Sequence, residues 1–417
     1  MIENDSHLRS IFMKFTRKIL LMALLTHFAL SAFAETPSNE EIYQMMLELK
    51  KEIATLKAEN KKLKESVEVV EESVDEVVVA TDEAIKEQAK IASRTTFGGY
   101  GELHGNWLDD QNGSADKDEI DFHRFVLEFN HQFTDRLRFY SEVELEHSVA
   151  GEDQVGEFEL EQAYIQYDLN DKYSISGGVF LMPVGILNET HEPSTFYGVE
   201  RNNIENKIVP STWWEGGAML SGKYDNGLSL DLALSSGLKA TVASNYAPRS
   251  ARQKVGEADA KSPSITGRMK YSGLPGIEIA ASINHQVDYS QDTLSSVDDA
   301  TLFEIHTIIE KGNYGLRAMY ARWDINGSGP ASVGADEQFG WYVEPSYRIN
   351  DVGLFTRYSV YDNLANSNAD TEIKQWDIGI NWWLHKDVVV KLDYQNQSAA
   401  SSLAELDGIN AGIGYAF

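Results

Sequence analysis

The chain of 417 residues contains no cysteine, and its 36 lysines and arginines are far outnumbered by 65 aspartates and glutamates. The absence of cysteine excludes disulfide frameworks, thiolate catalysis and cysteine-bound zinc. The formal net charge of -29 argues against a nucleic-acid partner, because phosphate contacts need clustered lysine and arginine. No cofactor-binding motif is present, so we expect no cofactor.

Long apolar runs are missing after the first 34 residues. Before that point, Lys14, Arg17 and Lys18 precede an apolar segment at 19–30, and the segment ends in the cleavage pattern Ala32-Phe33-Ala34. This arrangement predicts a signal peptide over residues 1–34 and therefore export. The alternative, a membrane anchor, would need about 20 apolar residues.

Residues 39–90 have the pattern of a coiled coil. Apolar residues recur with a period of seven over six heptads, with glutamate and lysine between them. The pattern favours a trimer over a dimer in its second half, where valine occupies both core positions. A single amphipathic helix is the alternative. The core positions are Ile42, Met46, Leu49, Ile53, Leu56, Asn60, Leu63, Val67, Val70, Val74 and Val77.

From residue 95 to residue 417 the helical period is replaced by segments of about ten residues with apolar side chains at alternate positions. Nine to eleven residues are what a tilted strand needs to cross a bilayer. We count about sixteen such segments, ending in the strand that carries Phe417. The sequence therefore predicts an all-β transmembrane barrel of about sixteen antiparallel strands, preceded by an α-helical coiled coil.

The connections between these segments alternate between short turns and long polar loops, which is the pattern of outer-membrane barrels. A soluble β-sandwich or propeller, the alternative, has no reason to alternate loop lengths. An even strand number places both barrel ends at the short-turn side, so we expect the coiled coil in the periplasm. Tryptophans near strand ends are predicted to form an aromatic girdle. They are Trp107, Trp213, Trp214, Trp341, Trp382 and Trp383.

Sixteen strands enclose a lumen, and the face opposite the apolar one is predicted to line it. Charged rings in a lumen select the sign of the permeating ion. The alternative is that these charges only pair with each other. The basic candidates are Arg124, Arg136, Arg138, Arg268, Lys270, Arg317, Arg348 and Arg357. The acidic candidates are Glu142, Glu144, Glu146, Glu157, Glu159 and Glu161.

The third long loop, residues 183–211, is a candidate constriction loop, since its apolar residues must pack against something and the barrel interior is the available surface. The next loop, 238–263, gathers arginines and lysines and could attract anions. Neither a zinc-binding spacing nor a catalytic serine motif is present, so no metal site and no enzyme are predicted. The constriction residues are Glu189, His191, Tyr197, Glu200 and Arg201.

Several stretches resemble the phosphate-selective porin O/P superfamily, and within it the trimeric dicarboxylate-type porins that carry a coiled coil. They are FGGYGELHGNW, DEIDFHRFVLEFNHQF, FYSEVELEHS and GGVFLMPVGILNETHEPSTFYGVERN. The resemblance covers the helix and the whole barrel. It implies a trimeric diffusion channel that favours small anions. The glutamates of 142–161 depart from the ladder of lumen arginines and lysines in phosphate-selective members.

We therefore expect a porin in the outer membrane of a Gram-negative bacterium that passes small hydrophilic solutes and favours small anions such as carboxylates. Its other partners would be outer-membrane lipid and lipopolysaccharide, and two further copies of the chain. Two alternatives stay open. The chain could be a general non-selective porin, or a tether whose coiled coil binds the cell wall or another protein.

Overall fold

A computed structural model describes residues 38–92, 94–151 and 155–417. The predicted signal peptide, residues 1–34, lies outside the described residues. The chain divides between Ala89 and Lys90 into two compact units, a helix and a barrel. No described helix is long and apolar enough to cross a bilayer.

The barrel consists of sixteen strands, each antiparallel to its neighbours, in one closed sheet in which β1 pairs with β16. The strand number and the fold class predicted from the sequence are therefore confirmed. The strands are β1 (Thr95–Asp110), β2 (Lys117–Thr134), β3 (Leu137–Glu146), β4 (Phe158–Asp168), β5 (Tyr173–Leu181), β6 (Trp214–Lys223), β7 (Leu228–Ser235), β8 (Ser264–Leu274), β9 (Ile277–Gln286), β10 (Ala300–Lys311), β11 (Tyr314–Ile325), β12 (Glu337–Ile349), β13 (Val352–Asp362), β14 (Ile373–His385), β15 (Val388–Ser398) and β16 (Leu406–Ala416).

The connections alternate as the sequence indicates. Turns of two to four residues follow every even-numbered strand up to β14, and longer loops follow every odd-numbered strand. Two of these loops are much longer than the others: L3 (residues 182–213) and L4 (residues 236–263). The second long loop, L2 (residues 147–157), connects β3 to β4, and L5 (residues 287–299) connects β9 to β10.

The last residue closes the barrel seam. The backbone N–H of Phe417 donates to the carbonyl of Gly99 at 2.9 Å, and the N–H of Gly99 donates back at 3.1 Å. The ring of Phe417 is 63% exposed and lies 6.1 Å from that of Phe125 on the outer face. A terminal aromatic residue is therefore part of the outer surface of the sheet and not a frayed tail.

The outer face is an exposed apolar belt, because successive side chains of a strand alternate between its two faces. Leu127, Ile283, Trp376 and Tyr394 are typical members, each about half exposed. Such a belt matches the hydrocarbon of a bilayer.

The predicted tryptophan girdle is only partly correct. Trp107 and Trp382 are exposed on the outer face, whereas Trp213, Trp214 and Trp383 are buried. Trp383 pairs with Val389 on the lumen side of the sheet, because Trp382 and Trp383 are adjacent and must point to opposite faces. Trp213 belongs to L3 and packs inside the barrel.

Helix α1 (Asn39–Ala92) begins with a capping box. Ser38 Oγ accepts from the N–H of Glu41 at 3.3 Å, and Glu41 Oε2 accepts from the N–H of Ser38 at 2.8 Å. The heptad residues of α1 are exposed, Leu49 at 57% and Leu63 at 64% for example. The apolar stripe of α1 is therefore exposed in the single chain. Whether the stripe forms a coiled coil stays a prediction.

One side of the lumen, the apolar half, is filled by residues of L3, L4 and L5 packed on β10, β11 and β12. Trp323 of β11 is fully buried between Trp213 of L3 and Tyr289 of L5, with ring centroids 6.2 and 5.6 Å away. The loops of the barrel unit contain short helices. They are Ile204–Ile208 in L3, Val242–Ser244 and Pro248–Ala251 in L4, and α2 (Ser328–Val333) after β11.

Candidate pore constriction

L3 is held in the lumen by a buried carboxylate, that of Glu205. Its Oε1 accepts from the backbone N–H of Ile186 at 2.6 Å and of Leu187 at 2.5 Å. Its Oε2 accepts from Asn202 Nδ2 at 2.9 Å and from the hydroxyl of Tyr342 on β12 at 3.3 Å. Burial raises the pKa of Glu205, and these donors act against that rise. The carboxylate ties both arms of L3 to the barrel wall.

Gly185 shows why the sequence turns at this point. Its φ is +80°, a conformation that side chains disfavour, and an added Cβ would lie 2.9 Å from Oε1 of Glu205.

Asn188 connects the two ends of L3. Its Nδ2 donates to the carbonyls of Met182 and Trp213 at 2.8 and 2.9 Å.

The middle of L3 reaches the opposite wall. The N–H of Val199 donates to Asp393 of β15 at 2.7 Å, and Asn381 of β14 donates to the carbonyl of Phe196 at 2.9 Å. Glu200 lies at β1, where Asn106 donates to it at 3.1 Å. L3 leaves the sheet at β5 and contacts strands on the far side, so it crosses the lumen.

L3 faces a group of charged side chains on β1 to β4, the charged half of the lumen. Glu142, Glu144, Glu159 and Glu161 lie on neighbouring strands β3 and β4 and are buried. Arg124 of β2 lies between acids, with Nε 2.8 Å from Glu102 and Nη1 3.5 Å from Glu144. The sequence prediction missed Glu102 and His104, although the alternation of polar residues in β1 marks both as lumen-facing.

His191 connects L3 to these acids. Its Nε2 lies 3.5 Å from Glu142 and 3.6 Å from Glu161. Burial alone would lower the pKa of His191, but the hydrogen bonds and charges of the two glutamates raise it to about 10. His191 is therefore a cation at neutral pH, and it binds the loop to the charged half.

L4 brings further cations to the same region. Arg249 donates to the carbonyl of Ser211 at 2.6 Å, Arg252 donates to the carbonyl of Thr212, and Arg201 donates to the hydroxyl of Thr212 at 2.9 Å. Within the described part of the chain, no carboxylate lies within ion-pair distance of these three guanidinium groups. Burial and the neighbouring charges of Arg252 and Arg201 lower the pKa of Arg249 to about 9.

Lys254 of L4 completes the contact between the loops and the acidic strands. It forms ion pairs with Glu157 at 2.5 Å and with Glu159. Burial opposes its charge, but these two carboxylates raise the pKa of Lys254. The carboxylates of Glu146, Glu157 and Glu159 lie together at this contact.

Most of the predicted basic residues of the strands are paired with acids. Arg268 binds Asp231 at 2.7 Å and also Glu189 of L3, while Arg357 binds Glu344 and Asp377 at 3.0 Å each. The other two pairs are Arg138 with Asp168 at 2.5 Å and Lys270 with Glu278 at 3.7 Å.

The remaining predicted basic residues lie towards the short-turn end. Arg136 is exposed in the turn between β2 and β3. Arg317 donates to the carbonyl of Thr195 at 2.7 Å, and the guanidinium of Arg348 lies 4.0 Å above the ring of Trp383. Together with Tyr197 of L3, these two arginines line a cavity of about 280 Å³. The structure thus distributes the basic candidates along the lumen and does not gather them on one wall.

Comparisons with known proteins agree with this architecture. Residues 84–400 match the family model described as Gram-negative porin. An uncharacterized protein of Aquifex aeolicus is 29% identical over 345 residues, which cover 73% of this chain and 76% of the relative.

Solved porins show the same fold. The anion-selective porin from Comamonas acidovorans aligns with a TM-score of 0.55 at 11% identity, covering 78% of this chain and 99% of that one. The outer membrane channel DcaP of Acinetobacter baumannii gives 0.54 at 13%, covering 78% and 97%. Family and fold point to a channel rather than an enzyme and indicate the outer membrane. The chain belongs to the Gram-negative porin family.

Proposed function

We propose that this porin passes small hydrophilic solutes by passive diffusion and favours small anions such as carboxylates. The preference would arise where L3 and L4 meet the charged half of the lumen. Arg201, Arg249 and Arg252 would attract the anion, and the glutamates of β3 and β4 would orient it. The resemblance to dicarboxylate-type porins supports carboxylates as the anion class.

The observation that carries the proposal is the difference between the paired strand cations and three arginines of L3 and L4. Five of the strand cations predicted from the sequence lie beside carboxylates and contribute little net field: Arg124, Arg138, Arg268, Lys270 and Arg357. Among the described residues, the three loop arginines donate hydrogen bonds only to backbone and hydroxyl oxygens, and Arg252 also lies 5.8 Å from the ring centroid of Trp214. Their charge is therefore left for a passing anion. The Comamonas porin, which has a similar fold, is described as anion-selective, and this supports the proposal.

The test is the reversal potential of the full chain in planar bilayers under a salt gradient. We expect an anion preference, reduced in Arg201→Gln, Arg249→Gln and Arg252→Gln. A unit charge at 4 Å is worth about 1 kcal/mol in water, so each change would alter the permeability ratio by up to about fivefold. The matched control is Arg322→Gln, since Arg322 is paired with Asp324 at 2.6 Å on the outer face.

Two results would count against this assignment. A wild-type reversal potential near zero would favour a general non-selective porin. A wild-type anion preference that all three loop variants retain would place the selectivity elsewhere, with Arg317 and Arg348 as the next residues to change.

We also propose that α1 assembles three chains and lies in the periplasm. The exposed apolar heptad residues of α1 support this proposal, since exposed apolar stripes of this length are buried in coiled coils. Deleting residues 39–90 should convert the detergent-solubilised trimer to monomer in light scattering, with conductance retained per barrel. A deletion variant that stays trimeric would assign the trimer contact to the barrel and leave α1 as a tether.

A further inference from the structure

A cluster of two histidines and one aspartate lies at the long-loop end of β2 and β3. The Nδ1 atom of His147 is 2.9 Å from both carboxylate oxygens of Asp121. The Nδ1 atom of His123 is 3.2 Å from Oδ2 of the same carboxylate. Two imidazole nitrogens and one carboxylate therefore converge on one point.

The chain brings His147 to this point by a local change of direction. His147 and Ser148 have φ angles of 52° and 61°, a left-handed conformation that is uncommon outside glycine. The N–H of His147 donates to the carbonyl of His123 at 3.3 Å. The first residue of L2 is thus folded back over β2, and its ring reaches Asp121 instead of continuing the line of β3.

The distances suit a small tetrahedral ion. The three potential ligand atoms all lie within 4.8 Å of one another. Zinc binds histidine nitrogen and carboxylate oxygen at about 2.0 to 2.2 Å, which puts tetrahedral ligand atoms about 3.4 Å apart. Small side-chain rotations would open the observed contacts of 2.9 and 3.2 Å to that spacing.

A fourth side chain, His104, lies beside the cluster. Its ring stacks on that of His123 with centroids 4.5 Å apart and planes at 11°. The two nitrogens of His104 face other acids, at 3.1 Å from Glu102 and 3.3 Å from Glu200, so His104 supports the ring of His123 and is not itself a ligand. Neutral imidazole is the form in which histidine binds metals.

We propose that Asp121, His123 and His147 form a binding site for a divalent transition-metal ion of the zinc type, with water at the fourth position. On binding through Nδ1, each neutral imidazole keeps its proton at Nε2. The three side chains are 18%, 28% and 34% exposed, so a hydrated ion can reach them. Calcium and magnesium need more oxygen ligands than this cluster offers.

The sequence predicts no metal site, because two ligands share a strand and the third arrives through a turn 24 positions later. No motif with zinc spacing results. Glu189, His191 and Glu192 are close together in the sequence and resemble a group of metal ligands, but His191 does not bring the three together. His191 instead faces Glu142 and Glu161.

The first test is calorimetric titration of the detergent-solubilised full chain with ZnCl₂ in the presence of excess CaCl₂. We expect one Zn²⁺ per chain, and about a tenfold or greater loss of affinity in Asp121→Asn, His123→Gln and His147→Gln. The control is His285→Gln, since His285 is exposed and its Nδ1 contacts only Thr301 at 2.9 Å. No saturable binding, or equal affinity in all four variants, would overturn the site.

A second measurement starts from the wild-type protein alone. Electron paramagnetic resonance of Cu²⁺ added to the wild-type protein should show hyperfine coupling to two imidazole nitrogens. A spectrum with oxygen ligands only would reject the site. Coupling that persists unchanged in a folded His147→Gln protein would assign the copper to other histidines and would also reject it.

Discussion

The two halves of the lumen hold the same loops by different physical means. In the apolar half, L3 and L4 pack on β10 to β12 through fully buried side chains such as Trp213, Trp323 and Tyr289. In the charged half, L3 meets β1 to β4 through His191 and Glu200. Apolar packing fixes the loops without specific partners, whereas the charged half leaves polar atoms that a solute can contact.

This division explains how a loop can be rigid and still face water. Apolar packing anchors the side of L3 that no solute reaches. The side that faces the charged half can then carry charges that contact a solute, in addition to His191, which binds the loop to Glu142 and Glu161. Experiments that weaken each half separately should therefore give different readouts.

The largest effect is expected from Trp323→Ala in the apolar half. The indole packs on Trp213 and Tyr289, and its Nε1 donates to the carbonyl of Ile208 at 2.9 Å. The change should cost about 3 to 5 kcal/mol of unfolding free energy, measured by denaturant unfolding in detergent.

Single-channel recording distinguishes this effect from simple destabilisation. Released from its anchor, L3 should give larger and noisier conductance in Trp323→Ala. The control Trp376→Ala alters an outward-facing tryptophan that is 53% exposed and should leave conductance unchanged. If both variants gave the same conductance without added current noise, the position of L3 would not depend on packing in the apolar half.

The next effect is expected at Glu205, the carboxylate that ties both arms of L3 to β12. Glu205→Ala leaves the backbone N–H groups of Ile186 and Leu187 without an acceptor, and each unsatisfied buried group costs about 1 to 3 kcal/mol. Unfolding midpoints in denaturant would measure the loss. Glu257→Ala, at an exposed position of L4, is the control. Equal midpoints for the two variants would contradict the anchoring role.

The sequence predicts the strands of the barrel and the side chains that face the lumen, but it does not predict how the loops contact the two halves. Strand alternation identifies the lumen glutamates of β3 because one face of each strand must be apolar. It is wrong for Arg136, which lies exposed in the turn between β2 and β3. Bulges at Glu161 in β4 and at His123 in β2 shift the strand register, so a strict alternation does not extend through these two strands.

Contacts between loop residues and strand residues cannot be read from strand alternation. Nothing in the sequence near Arg268 indicates that Glu189, in another loop, neutralises it. Nor does the composition of L4 show that Arg249 and Arg252 turn inward to the backbone of L3. These contacts depend on tertiary packing, which a periodic pattern does not encode.

A smaller, pH-dependent effect is expected from His191 in the charged half. Its pKa is raised to about 10 in the folded chain, above the ordinary value of about 6.5. Its contribution to stability is therefore fully present below about pH 6.5 and is lost as pH rises towards 10. The stability difference between wild type and His191→Gln should shrink over that range in denaturant titrations. A difference that is constant with pH would mean that His191 binds L3 without its charge.

The smallest effect on permeation is expected from removing a strand ion pair whole. Arg268→Gln together with Asp231→Asn deletes one charge of each sign, so the net charge of the lumen is unchanged. Glu189, the third member, is partly exposed and can be solvated. We expect the reversal potential of the double variant to equal that of wild type, in contrast to Arg252→Gln. A loss of anion preference as large as that of Arg252→Gln would mean that paired strand cations, and not the loop arginines, set the selectivity, because only the pair had been altered.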